Sequence, residues 1–380
     1  MSEDFSVLAG NVVTSQGRIE NSYINISNGR IQGISAVPYH TDVINMQNYT
    51  AVPGFIDIHT HGYFGVDAFD SNKKEIIRWS ENLARIGVTS FIPTCVSLKL
   101  DDLVSFLEKI RGLMKSEKSG AARILGARSE GPYISIEKKG AHNPDNVRNP
   151  SSDEIDKLTS YADVLRIMDM APELEGFPTA MSRLENCGIA VSIGHTNGTF
   201  SEVSRGISSG ARLMTHFYNA MTQMDHRSPG AVGAGFLASN NYLEIIADFH
   251  HVSREAIDIM IKLRGWDHIV AITDSLSVGG ADLGKASLGQ LPIEVHDGVA
   301  WIAGTHTIAG SILTMHESFS NLFSIGADLI DLVKAFSYNP AKILAAKDLG
   351  DIAPGKLADI NFLDDEMKVS STMISGKIVE

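Results

Sequence analysis

Two rhythms of apolar and polar positions run along this chain. From residue 7 to about residue 50, short β-prone runs alternate with turn signals. Val7-Leu8-Ala9, Tyr23-Ile24-Asn25-Ile26 and Arg30-Ile31-Gln32-Gly33-Ile34 are separated by Ser15-Gln16-Gly17 and Asn28-Gly29. Asn-Gly between such runs predicts a hairpin, because both residues tolerate the positive φ of a tight turn. The C-terminal end repeats this texture: Leu357 to Leu363 and Ser371 to Val379 read as strands, with a turn at Ser375-Gly376. Both ends are therefore expected to join in one small β-domain.

The middle of the chain alternates differently. Apolar β-prone runs recur at 55–58, 88–92, 123–127, 164–168, 189–193, 212–215, 243–246 and 269–272. Helix-like stretches lie between several of them, among them Lys73 to Ile86, Asp101 to Lys115 and Ser253 to Leu263. Strands alternating with helices imply βα units and a parallel sheet, and eight such units suggest a closed ring. The expected fold is α/β: a (β/α)8 TIM-like barrel over residues 51–345, with a small β-sandwich domain built from residues 1–50 and 346–380.

Composition narrows the function classes. No apolar run approaches the roughly 18 residues of a membrane helix. The opening Met-Ser-Glu-Asp-Phe lacks the basic and apolar regions of a signal peptide, so a cytoplasmic protein is expected. The two cysteines, Cys95 and Cys187, are far apart and outside any CxxC, which argues against a disulfide framework or a zinc–cysteine site. A net charge of −13 makes nucleic acid and anionic membranes poor partners.

The candidate chemistry falls in phase with the strand rhythm. His59 and His61 follow the first run, Glu130 the third, His195 the fifth, His216 the sixth and Asp274 the eighth. In a (β/α)8 barrel the C-terminal strand ends form the active-site face, so residues distant in sequence would converge there. In an extended chain residues i and i+2 point the same way, so His59 and His61 would present two imidazoles together. Each histidine alone reads as an ordinary strand-end residue. Four histidines and two carboxylates in phase read as a site for a divalent metal.

Longer motifs carry a resemblance. Pro53-Gly54-Phe55-Ile56-Asp57-Ile58-His59-Thr60-His61-Gly62 and Ile352-Ala353-Pro354-Gly355-Lys356-Leu357-Ala358-Asp359-Ile360 resemble the two ends of an amidohydrolase-superfamily barrel. Glu130-Gly131-Pro132, Lys139 to Pro144, Ala171-Pro172-Glu173, Gly194-His195-Thr196, Thr215 to Met221, Arg227 to Gly230, Asp248 with His251, Thr273-Asp274-Ser275 and Ala309-Gly310-Ser311 resemble, in order, the N-acetylglucosamine-6-phosphate deacetylases of that superfamily. The resemblance runs from about residue 7 to the C-terminus. It implies a main metal triad of Glu130, His195 and His216, with His59 and His61 as a second-metal pair. One or two divalent ions are expected: zinc, iron, manganese or cobalt. It further implies Asp274 as general base and acid, and His142 polarising the acetyl carbonyl. Arg227 would bind the phosphate, helped by Asn219, the Ala220 backbone and His251, while Ile308, Ala309, Gly310 and Ser311 line the sugar. A homodimer is expected, with the Arg227 loop reaching toward the partner. Arg128-Ser129 depart from the His-Leu that relatives often carry before the glutamate, and Phe249-His250 precede His251.

The implied reaction is hydrolysis of the acetamide of N-acetylglucosamine 6-phosphate to glucosamine 6-phosphate and acetate, in amino-sugar catabolism and cell-wall sugar recycling. A cyclic-amide hydrolase or nucleobase deaminase is the rival enzyme reading. Cyclic-amide hydrolases commonly bridge two metals with a modified lysine from the fourth strand, and here that region offers Asp169 and Glu173 instead. A non-catalytic scaffold would be expected to have lost ligands or the base, and all are present.

Overall fold

The computed structural model describes residues 3–116, 119–281, 283–289 and 291–379; Met1 and Ser2 of the N-terminal reading lie outside them. Eight parallel strands are hydrogen-bonded in chain order: Phe55–Thr60, Val88–Cys95, Ala127–Tyr133, Leu165–Met170, Ala190–Ile193, Leu213–Met214, Tyr242–Ile246 and Ile269–Ile272. The last returns to the first, where Thr273 Oγ1 donates to Asp57 at 2.6 Å and the Asp274 amide to the His59 carbonyl at 2.9 Å. This is the (β/α)8 barrel that the strand rhythm predicts.

The helices follow from local chemistry. Lys73–Arg85 begins at Asn72, which forms a capping box with Glu75, and its buried face is Ile76, Trp79, Ser80, Leu83 and Ala84. That spacing places one apolar stripe against the barrel. Leu100–Met114 and Arg254–Arg264 lie within one residue of the expected stretches, the latter capped by Ser253.

Both termini join one seven-stranded sheet. Asp4–Thr14 pairs with Gly17–Ser27 and, in parallel, with Val43–Pro53, which in turn pairs with Ile360–Leu363 from the C-terminal end. The Asn28-Gly29 turn has φ of 50° and 71° and sets Ser27 opposite Arg30. A separate apolar core holds this sheet, drawing Val7, Ile24 and Ala51 from one end of the chain and Ile360, Phe362 and Met373 from the other.

Two features differ from the sequence reading. The third barrel strand is Ala127–Tyr133, whereas Arg123–Ile124 is a short strand beside Ser90 and Phe91. The run Ala-Arg-Ser-Glu-Gly-Pro-Tyr is polar, so it carries no apolar signature, yet all seven residues are buried. Glu130 therefore stands inside its strand and not after it. A three-stranded antiparallel sheet, Lys285–Leu288, Leu291–His296 and Val299–Ile302, is inserted after the last barrel strand.

Candidate active site

The chemistry gathers at the C-terminal ends of the barrel strands. His59, His61, Glu130, His142, His195, His216 and Asp274 are all buried. His195, His216 and Asp274 have φ of 45°, 28° and 49°. Left-handed backbone at a non-glycine residue costs free energy and persists where the surroundings enforce it, often at functional sites. Here it turns three side chains over the mouth immediately after their strands end.

Glu130 is the hub. Its Oε1 lies 3.0 Å from both His195 Nε2 and His216 Nε2, and its Oε2 lies 3.2 Å from His61 Nε2. Ligand atoms of Glu130, His195 and His216 lie within 4.8 Å of one another, as do those of His59, His61 and Glu130. His195 Nδ1 is 2.7 Å from the Lys138 carbonyl and His61 Nδ1 is 3.1 Å from the Thr94 carbonyl. A carbonyl only accepts, so both Nδ1 atoms carry protons. The inward Nε2 of each neutral ring is then a lone pair. Yet His195 Nε2 and His216 Nε2 are 3.0 Å apart, and His59 Nε2 and His61 Nε2 3.3 Å apart. At this separation the two nitrogens of each pair must share a proton or a metal ion. The donor set, imidazole nitrogen with carboxylate oxygen, suits a divalent transition metal.

Without a metal, protons fill that role. Burial opposes charge on His59 and His61, as Arg128 does on His59, but Asp274 and Glu130 lift them to about 10 and about 9. Burial would raise Asp274, but His59 and His61 hold it down at about 2. Uptake of a cation by this cluster must expel protons.

His142 is set differently. Its Nδ1 accepts the Ser97 amide at 3.0 Å, so its proton sits on Nε2, facing the site 3.3 Å from Glu130 Oε2. Burial lowers its pKa to about 4, which keeps the ring a neutral donor. Above these groups opens a cavity of about 420 Å³, the size of a small-ligand site.

The model of the amidohydrolase family matches residues 50–379. The chain belongs to the amidohydrolase family. It is 31% identical over 374 residues to an N-acetylgalactosamine-6-phosphate deacetylase of Escherichia coli O157:H7, covering 97% of this chain and 98% of the relative. It is 32% identical over 360 residues to an N-acetylglucosamine-6-phosphate deacetylase of Vibrio furnissii, covering 93% and 89%. The structure of a mutant N-acetyl-D-glucosamine-6-phosphate deacetylase of Mycobacterium smegmatis, in complex with N-acetyl-D-glucosamine 6-phosphate, superimposes with a TM-score of 0.92, 30% identity and full coverage of both chains.

In this amidohydrolase the cavity is lined by His61, Glu130, His142, His195, His216 and Asp274, with Asn219, Ala220, His251, Ile308 and Gly310. His251 is held through Nδ1 by Asp248 at 2.6 Å. Ala309 and Ser311 are buried behind the lining, and Ser311 Oγ donates to the Thr273 carbonyl at 2.5 Å. Arg227 is exposed, its amide bonded to Asp225, and it lies outside the lining. The structure adds residues that sequence reasoning missed. Ser97 sets the His142 tautomer, Lys138 and Leu288 line the cavity, and Arg128, Asp169 and Glu244 are buried below it. Of these, Arg128 left a signal in the sequence as a departure from the family pattern, and Asp169 as an acidic residue after the fourth run.

Proposed function

We propose that this amidohydrolase hydrolyses the acetamide of N-acetyl-D-glucosamine 6-phosphate, giving acetate and D-glucosamine 6-phosphate, with its active site in the barrel mouth. The observation that carries the reading is the convergence of His59, His61, Glu130, His195, His216 and Asp274 under one cavity, in a chain similar throughout to deacetylases of phosphorylated N-acetyl sugars. The division into a barrel over 51–345 and a β-domain from 1–50 and 346–380 belongs to the same reading.

Glu130, His195 and His216 would hold one divalent ion, and His59 and His61 with Glu130 a second; zinc, iron, manganese and cobalt all suit these donors. Such an ion supplies Lewis-acid polarisation and eases deprotonation of water. Asp274, ionised at neutral pH, takes the proton from the attacking water. His142 donates its Nε2–H toward the acetyl carbonyl oxygen and stabilises the charge that grows there. Asp274 then returns the proton to the leaving amine, which cannot depart as an anion. Asn219, Ala220, His251, Ile308 and Gly310, which line the cavity, would orient the sugar phosphate. No helix among the described residues is long and apolar enough to cross a membrane.

The homodimer belongs to the same proposal: Arg227, exposed and outside its own chain's cavity, would serve the partner's. Arg227→Met should lower kcat/KM on the 6-phosphate by about ten- to hundredfold, the worth of a hydrogen bond to a charged group. The unphosphorylated sugar should be nearly unaffected, and an equal loss on both would make Arg227 structural. Acetate release from N-acetylglucosamine 6-phosphate, N-acetylgalactosamine 6-phosphate and their unphosphorylated forms tests the substrate reading itself.

The two-ion reading has its own test. His59→Ala/His61→Ala should bind one ion fewer by elemental analysis and keep part of the activity, because Glu130, His195 and His216 remain. Unchanged metal content in that variant would refute it.

A further inference from the structure

Below the metal-type cluster, Arg128, Asp169 and Glu244 are fully buried, each on a different barrel strand. Arg128 Nη1 is 2.5 Å from Glu244 Oε1 and Nη2 3.1 Å from Glu244 Oε2, while Nη2 reaches Asp169 at 3.0 Å. Arg128 also donates to the Ile58 carbonyl at 3.2 Å and to Thr215 Oγ1 at 3.3 Å. Buried charges are costly unless paired in this way. One guanidinium thus serves two carboxylates.

The outward contacts of the two carboxylates differ. The hydrogen bonds of Asp169's side chain run to Arg128. Glu244 Oε2, by contrast, lies 3.3 Å from His59 Nδ1 and accepts the His216 amide at 3.2 Å. The four imidazoles of the metal-type cluster are thus held unequally. His61 and His195 lean on neutral backbone carbonyls, and His216 Nδ1 is buried without a hydrogen-bond partner among the described residues. His59 leans on a carboxylate.

We infer that Glu244 is a positioning residue for the second ion: held by Arg128, it fixes the His59 ring with Nε2 facing Glu130, His61 and Asp274. The inference rests on the two-ion reading above. An anionic partner on Nδ1–H orients the ring and makes Nε2 a stronger donor, and loss of such partners typically weakens metal binding by about 10–100-fold. The Arg128-Ser129 departure then has a physical meaning. The arginine lets two acidic side chains occupy the barrel interior, one of them facing a ligand.

The test is a zinc titration of the metal-free full-length protein, read as stoichiometry and stepwise affinity, with thermal melting of each metal-free sample. Wild type should take up two ions. Glu244→Gln should weaken the second by about 10–100-fold while the first stays within about threefold. Glu244→Asp keeps the charge against Arg128 but shortens the reach to His59, so it should fold and weaken the same ion even if the glutamine variant does not fold. Asp169→Asn disturbs the same ion cluster without touching His59. It should melt earlier yet keep both ions at wild-type relative affinity. Two ions at wild-type affinities in both Glu244 variants, or an equal loss of the second ion in Asp169→Asn, would overturn the inference. A wild-type protein that binds only one ion would remove the two-ion reading and this inference together.

Discussion

Asp274→Asn should keep the fold, the metal and the affinity for substrate while losing turnover by about 10⁴-fold or more. A general acid or base contributes about 10²–10⁴-fold, and in the proposed reaction this residue acts once in each capacity. The structure sharpens the expectation. Asp274 Oδ1 lies 3.2 Å from His61 Nε2 and 3.5 Å from His59 Nε2, at the centre of the cluster. Its amide, bonded to the His59 carbonyl, stitches the barrel closed. That backbone bond survives the substitution, so stability should change little. Asparagine is nearly isosteric and can still present an oxygen, but it cannot accept and return a proton at neutral pH. Thermal melting, metal content and kcat measured on one preparation separate the roles. A folded, metal-loaded variant within about tenfold of wild type, far short of the general acid–base range, would place the base elsewhere.

Glu130→Gln should remove both ions and with them nearly all activity. Glu130 is common to both ligand clusters. It is also the carboxylate against which His195, His216 and His61 are packed at 3.0, 3.0 and 3.2 Å. The amide keeps the shape and removes the charge that balances a dication in a buried site. Lewis-acid stabilisation of several kcal/mol corresponds to a loss of roughly 10³-fold or greater. Elemental analysis after dialysis, alongside acetate release, checks it. Wild-type stoichiometry with reduced activity would show that the histidines alone suffice for binding and that Glu130 acts elsewhere in the reaction.

Much of this site was legible because barrel geometry converts sequence order into position. His59, His195, His216 and Asp274 could be assigned to the mouth from their phase relative to apolar runs alone. Their types named the chemistry before any distance was known. The third strand resisted that method. Its Arg128 and Glu130 are buried because side chains of other strands satisfy them, Asp169 and Glu244 for the arginine and the site histidines for the glutamate, and a periodicity of apolar side chains cannot register a strand held by such pairs. The inserted sheet over 285–302 was missed because its exposed, mixed strands lack a continuous apolar face.

The sequence by itself determined the (β/α)8 architecture, the union of the two chain ends, the histidine and carboxylate types of the site and the position of Asp274 at the end of the last strand, because each depends on local pattern or strand phase. Only the tertiary structure decided the rest. It assigns the proton on His142 through the Ser97 amide, sets Arg227 at the surface outside its own cavity, and draws Arg128, Asp169 and Glu244 into one buried cluster under His59. These depend on which atoms meet across strands 41 to 116 residues apart, as in the bonds from Arg128 to Asp169 and Glu244. No local pattern encodes a contact at that range, since it exists only once the ring has closed.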